Sequence, residues 1–102
     1  MQIVVVGINH KNSPLDIREK FSLAESERTL LLSMLKNNPG ISGALVLSTC
    51  NRIEIYATLI DEQNTNILFD SLLVVKRNQR LAESSKYFYV YKADQAIEHL
   101  YQ

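Results

Sequence analysis

Apolar residues recur with two different periods along this chain, and the switches between them predict its elements. Gln2–Ile8 is dense in β-branched residues and closes near Gly7, as a buried strand does. Asn9–Pro14 breaks the run as a loop, with Pro14 placed to open a short helical segment through Lys20. Ser22-Leu-Ala-Glu25 then has capping-box spacing, Ser22 as N-cap and Glu25 reaching back. Leu23, Leu30, Leu31, Met34 and Leu35 fall near one helical face until Asn37-Asn38-Pro39-Gly40 stops the helix. Gly43–Ser48 and Ile53–Ile60 read as two strands, the second alternating Ile53, Ile55, Ala57 and Leu59 against more polar neighbours. Thr49-Cys50-Asn51-Arg52 joins them as a short turn in which Asn51 tolerates positive φ. Asn64–Gln79 carries Ile67, Leu68, Leu72 and Val75 on one side of a helix. Lys86–Lys92 alternates aromatic residues as a last strand, and Asp94 can cap a final helix over Gln95–Gln102, with Ile97 and Leu100 facing the core.

The order is β–α–β–β–α–β plus a C-terminal helix. It matches the split βαβ, ferredoxin-like arrangement, an α+β fold with an antiparallel sheet and helices packed on it. With 102 residues and neither repeats nor a linker, one domain over residues 1–102 is expected. The last helix stops at Tyr101-Gln102 without a C-cap signal, as a truncated helix would.

Composition narrows the function classes. Eleven basic and eleven acidic residues cancel, so the whole domain has no attraction for nucleic acid. Lys76, Arg77, Arg80 and Lys86 make the only loose basic cluster and read as a solvated face. A single cysteine excludes an internal disulfide and a CxxC site, and its spacing from His10 and His99 fits no usual metal pattern, so no metal is expected. The N-terminus lacks a basic region followed by an apolar core, and no run of ~18 apolar residues exists, so a soluble, cytoplasmic protein with no membrane contact is expected.

Cys50 is the informative residue. A lone cysteine is often a small buried hydrophobe. Here it stands in a predicted turn between Thr49 and Asn51-Arg52, where a nearby guanidinium favours thiolate over thiol. A thiolate can attack an acyl ester and keep the acyl group as a thioester. Thr49 and Arg52 would hold the polar ends of a small substrate, Arg52 gripping a carboxylate with two parallel hydrogen bonds. Spacing alone leaves a redox sensor, or no role, open. His99 reads equally as a structural or surface histidine or as a hydrogen-bonding partner for substrate.

The residues carry a resemblance. Leu47-Ser-Thr-Cys-Asn-Arg-Ile-Glu-Ile-Tyr56 resembles the L-S-T-C-N-R-x-E-x-Y signature of glutamyl-tRNA reductases. Gly7-Ile-Asn-His-Lys-Asn-Ser-Pro14 with Ile17-Arg-Glu19 is similar to that family's G-x-N-H-x-x-x-P…R-E pattern, and Ala96-Ile-Glu-His-Leu100 to its A-x-x-H-L segment. The resemblance implies an N-terminal catalytic, glutamate-binding domain of an NADPH-dependent oxidoreductase that makes glutamate-1-semialdehyde from glutamyl-tRNA, the first step of porphyrin and heme synthesis. It implies Cys50 as nucleophile, Thr49, Asn51 and Arg52 as the substrate-recognition turn, and His99 as a glutamate-recognising histidine. His10, Arg18 and Glu19 belong to the pattern without an assigned role. The family's NADPH domain and helical dimerisation domain have no counterpart here, and no G-x-G-x-x-G occurs. NADPH and a homodimer are therefore expected of the full-length enzyme, and this chain alone is not expected to complete the reaction. The alternative is a small ferredoxin-like module binding RNA or a regulatory ligand, with Cys50 incidental.

Overall fold

The computed structural model describes residues 2–61 and 63–101. Its elements are β1 (Gln2–Asn9), α1 (Leu15–Phe21), α2 (Glu25–Lys36), β2 (Ile41–Ser48), β3 (Arg52–Leu59), α3 (Asn66–Lys76), a 3-10 segment (Gln79–Tyr87), β4 (Tyr89–Lys92) and α4 (Asp94–Leu100). The strands form one sheet in the order β2-β3-β1-β4, every neighbouring pair antiparallel. This is the expected ferredoxin-like α+β arrangement.

Alternation along the strands sorts side chains onto two faces. Val4, Val6 and Ile8 of β1, with Ile53, Ile55, Ala57 and Leu59 of β3, meet Phe21, Leu31, Leu35, Leu68 and Leu72 from the three long-range helices α1–α3. On the opposite face Val5, Tyr56 and Ala96 form a second, smaller core with Leu47, Tyr91 and Leu100 against it. That core exists because α4 folds back across the sheet, touching β1 and β4. Consequently β3 is buried on both faces, and Glu54 and Tyr56 are as enclosed as Ile53 and Ile55, with which they alternate.

Among the described residues, no helix is long and apolar enough to cross a membrane. Several boundaries depart from the sequence expectation for identifiable reasons. The N-cap of α2 is Ala24, not Ser22: Glu27, not Glu25, accepts the Ala24 N–H at 2.9 Å, while the Ser22 carbonyl accepts from Lys76 Nζ at 2.6 Å. Leu30 lies on the exposed side of α2, and the buried pair is Leu31 and Leu35. The third helix ends at Lys76, where Arg77 takes a left-handed conformation at φ 55°. The last strand begins at Tyr89 rather than Lys86, because Phe88 drops into the helix side and packs edge-on, 4.8 Å from both Phe21 and Phe69. Ile97 faces out, and Ala96 and His99 face in. Gln102, the expected end of α4, lies outside the described residues.

The turn into α4 is made by Ala93 at φ 54°, ψ −126°, a conformation that costs a residue with a Cβ about 1–3 kcal/mol. Its N–H donates to the Ile3 carbonyl at 2.9 Å, pinning the start of α4 to β1. Asn51, which would tolerate positive φ, does not use it; Arg77 and Ala93 do, among the described residues.

Candidate functional site

The β2–β3 connection is held by its own threonine. Thr49 Oγ1 accepts from the N–H groups of Asn51 at 3.2 Å and Arg52 at 3.1 Å, and the Thr49 N–H donates to the Arg52 carbonyl at 2.8 Å. This side-chain-closed turn is the reason threonine precedes the cysteine. Cys50 stands exposed at its tip as a free thiol. The His10 N–H donates to the Asn51 carbonyl at 2.9 Å, so the turn is docked on the β1–α1 loop.

That loop is equally braced. Asn9 Oδ1 accepts from Lys11 N–H, Asn12 Oδ1 from Asn9 N–H, and Ser13 Oγ donates to the Asn9 carbonyl at 2.7 Å. Arg18 Nη1 donates to the Ser13 carbonyl at 2.6 Å, which gives this residue a structural place. Glu19 is exposed, and its carbonyl ends α1 by accepting the Ser22 N–H.

Turn and loop form the walls of a cavity of 300 Å³ lined by Asn9, His10, Lys11, Thr49, Asn51, Arg52 and His99. Three of the expected site residues on the turn, and His99 from the far end of the chain, thus share one cavity. Cys50, between Thr49 and Asn51 on the same turn, is exposed and is not itself part of the lining. A second cavity of 340 Å³ adjoins it through the shared Asn9, Lys11 and His99 and is bounded by Tyr91, Gln95 and Glu98 of β4 and α4.

Beneath the cavity lies a carboxylate that the sequence reading left without a role. Glu54 has no exposed surface, and its two oxygens have four side-chain partners. Oε1 accepts from Tyr56 OH at 3.2 Å and faces Arg52 Nη1 at 3.2 Å. Oε2 accepts from Tyr89 OH at 2.6 Å and meets His99 Nε2 at 2.5 Å. A buried carboxylate is stable only when paired and hydrogen-bonded, and here both conditions are met. Glu54 therefore ties Arg52 and His99, which are far apart in sequence, to a common anchor. Burial, then the neighbouring Glu54 charge and hydrogen bond, push the Tyr56 and Tyr89 phenols well above their ordinary range, so both stay protonated donors.

Sheet register explains how Glu54 reaches so far. Gly7 on β1 is paired with Glu54 of β3 on one side and with Tyr89 of β4 on the other. A Cβ at Gly7 would stand 2.7 Å from Glu54 Cγ and 2.6 Å from the Ile53 carbonyl oxygen. The missing side chain leaves a bay through which the Glu54 carboxylate crosses β1 to Tyr89 and His99. Gly7→Ala is expected to cost about 2 kcal/mol, since overpacking against backbone runs to about 1–3 kcal/mol. Thermal melting should show it as a fall of roughly 8–15 °C for a domain of this size; an unchanged midpoint would mean that the bay is not needed.

Glu54 and Tyr56 lie inside the Leu47–Tyr56 motif, which is the signal that could have pointed to them. Tyr89 lies in no motif. The basic cluster proves partly committed: Lys76 pairs with Glu27 at 3.1 Å, and Lys86 sits 5.4 Å over the Tyr87 ring. Among the described residues, no three or more His, Cys, Asp or Glu side chains gather as a metal site would require.

A family model described as the N-terminal domain of glutamyl-tRNA(Glu) reductase matches residues 6–102. A glutamyl-tRNA reductase of Heliobacterium mobile is 38% identical over 102 residues, all of this chain and 23% of that protein. One of Synechocystis sp. is 37% identical over 100 residues, 98% of this chain and 23% of that protein. The solved glutamyl-tRNA reductase of Methanopyrus kandleri superposes with a TM-score of 0.64 at 26% identity, covering 96% of this chain and 21% of that one. The chain thus spans less than a quarter of the length of these relatives.

Proposed function

This chain belongs to the glutamyl-tRNA reductase N-terminal domain family, and on that premise we propose that it is the part of such a reductase that takes the glutamyl group from its tRNA. The observation that carries the reading is the exposed Cys50 on a turn whose other residues, Thr49, Asn51 and Arg52, line one cavity with His99.

The thiolate of Cys50 attacks the ester carbonyl. A C–S bond forms, the C–O bond to the terminal ribose breaks, and the departing oxygen takes a proton as tRNA leaves. The acyl group stays covalently in place, which removes the entropic cost of a second encounter. Arg52 grips a carboxylate of glutamate, Thr49 and Asn51 border the same space, and His99 hydrogen-bonds a polar end of the substrate. The adjoining cavity gives the alcohol side of the ester room next to His99.

NADPH, bound outside this chain in the full-length reductase, would supply the hydride for reduction of the acyl group that Cys50 holds. The three glycines of this chain, Gly7, Gly40 and Gly43, make no phosphate-cradling fingerprint, and Gly7 is committed to the Glu54 bay. NADPH binding and dimerisation accordingly belong to parts of the family's proteins outside this chain. The reaction places the protein at the start of tetrapyrrole synthesis.

The test is NADPH-dependent aldehyde formation from glutamyl-tRNA by the full-length protein and its Arg52→Lys variant. Lysine keeps the charge opposite Glu54 but loses the planar fork. Loss of a charged hydrogen bond, worth about 1.5–3 kcal/mol, should lower kcat/KM by roughly 10- to 100-fold. Absence of aldehyde with the unaltered protein would end the proposal, and an unchanged kcat/KM in Arg52→Lys would remove Arg52 from it.

A further inference from the structure

We propose that Tyr89 is a positioning residue for His99: its hydroxyl shares Glu54 Oε2 with the imidazole and, as a second acceptor beside that oxygen, holds the ring at the angle at which Nε2 carries the proton. The proposal rests on the functional reading above only for the role of His99 in handling substrate; the geometry of the triad stands apart from it.

The donor inventory decides the tautomer. Glu54, paired with Arg52, is a carboxylate and only accepts. Tyr89 has one hydroxyl proton and sends it to Glu54 Oε2 at 2.6 Å. His99 Nε2 then faces two acceptors, Oε2 at 2.5 Å and the Tyr89 oxygen at 3.2 Å. A bare Nε2 would oppose its lone pair to both, so Nε2 carries the proton. The other ring nitrogen, Nδ1, is left as the atom through which His99 can serve a substrate.

Packing holds the ring at that angle. The Tyr89 ring stacks on Tyr91 at 5.0 Å and 20°, and the imidazole meets both, edge-on to Tyr89 at 4.9 Å and tilted to Tyr91 at 5.1 Å. Register fixes Tyr89 itself, since it pairs with Gly7 directly across from Glu54. The same hydroxyl also occupies the site on Oε2 that the imidazole would otherwise hold alone. Without it, Glu54 keeps one partner fewer on that oxygen, and the imidazole is free to tilt toward the hydroxyl's place. The high proton affinity of the enclosed Tyr89 phenol agrees with a hydroxyl that donates at every working pH.

The experiment compares the full-length protein with Tyr89→Phe, which keeps the ring and its stacking and removes the one oxygen. Imidazole 15N resonances of His99, identified by their loss in His99→Gln, should show a single Nε2-protonated tautomer in the unaltered protein and, since Glu54 Oε2 still accepts from Nε2, the same tautomer with a shifted Nε2 resonance in Tyr89→Phe. Acylation of Cys50 by glutamyl-tRNA without NADPH should slow by about 10-fold, the size of one lost hydrogen bond, while reaction of Cys50 with iodoacetamide stays as it was. A 15N pattern unchanged by Tyr89→Phe overturns the proposal, as does a changed pattern with an unchanged acylation rate. If the unaltered protein forms no adduct at all, the functional reading fails, and the tautomer spectra alone then decide whether Tyr89 positions the ring.

Discussion

Replacing Cys50 by serine should cut aldehyde formation from glutamyl-tRNA, in the full-length protein, by on the order of a thousand-fold or more, and should leave stability within about 0.5 kcal/mol. The two halves of this expectation come from the same observation. The thiol stands exposed at the tip of a turn, so its removal disturbs no packing. The turn is closed by Thr49 Oγ1 and by the backbone of Thr49 and Arg52, not by the cysteine, so its shape survives. Serine is nearly isosteric, but its hydroxyl is a far weaker nucleophile than a thiolate, so the acyl transfer is lost. Melting curves and steady-state rates on the same preparations separate the two outcomes. A serine variant that keeps more than a tenth of the rate would mean that the covalent route is wrong.

The second large effect belongs to Glu54. Truncation to alanine removes the carboxylate that satisfies Tyr56, Tyr89, Arg52 and His99 at once. Breaking a buried ion pair from one side costs about 3–5 kcal/mol, because the remaining charge is left without its partner. Against a whole-domain stability of about 5–15 kcal/mol, that is a large share. Glu54→Ala should lower the thermal midpoint by roughly 15–30 °C, well beyond the effect of Gly7→Ala. It should also loosen Arg52 and His99, the two groups that line the cavity from well-separated parts of the sequence. Glu54→Gln keeps the shape and the acceptor on one atom and should fall between. A midpoint within about 5 °C of the unaltered protein would show that the network is not what holds this face of the sheet together.

The helix-facing half of the molecule was readable in the sequence. The β-branched run of β1, the Leu31/Leu35 and Leu68/Leu72/Val75 spacings and the order of elements led to the ferredoxin-like sheet, because each pattern reports one apolar face. The other face was not readable. Whether the alternate residues of β3 meet water or protein depends on α4, and α4 crosses the sheet through Ala93, an alanine at positive φ that no local rule would place there. Glu54 and Tyr56 consequently looked like solvent-facing positions. Phe88 misled in the opposite sense, since it alternates like a strand residue yet joins Phe21 and Phe69.

The site divides in the same way. Thr49–Arg52 could be found as a turn with its own chemistry, and the Leu47–Tyr56 motif carried the family resemblance. The meeting of His99 with that turn needed three dimensions, and so did the reason for Gly7. Its lack of a side chain makes sense only when Glu54 and Tyr89 are seen in register on either side of it. Tyr89 lies in no motif, and its place in an alternating aromatic strand gives no sign that its hydroxyl is bonded at 2.6 Å to the buried carboxylate.

Intact-mass spectrometry of the full-length protein, mixed with glutamyl-tRNA and no NADPH, addresses the covalent step without intermediaries. The expected result is a protein heavier by one glutamyl group, mapped to Cys50 after digestion, discharged when NADPH is added and missing from Cys50→Ser. An unmodified protein that still yields aldehyde once NADPH is supplied would contradict acyl transfer to this sulfur.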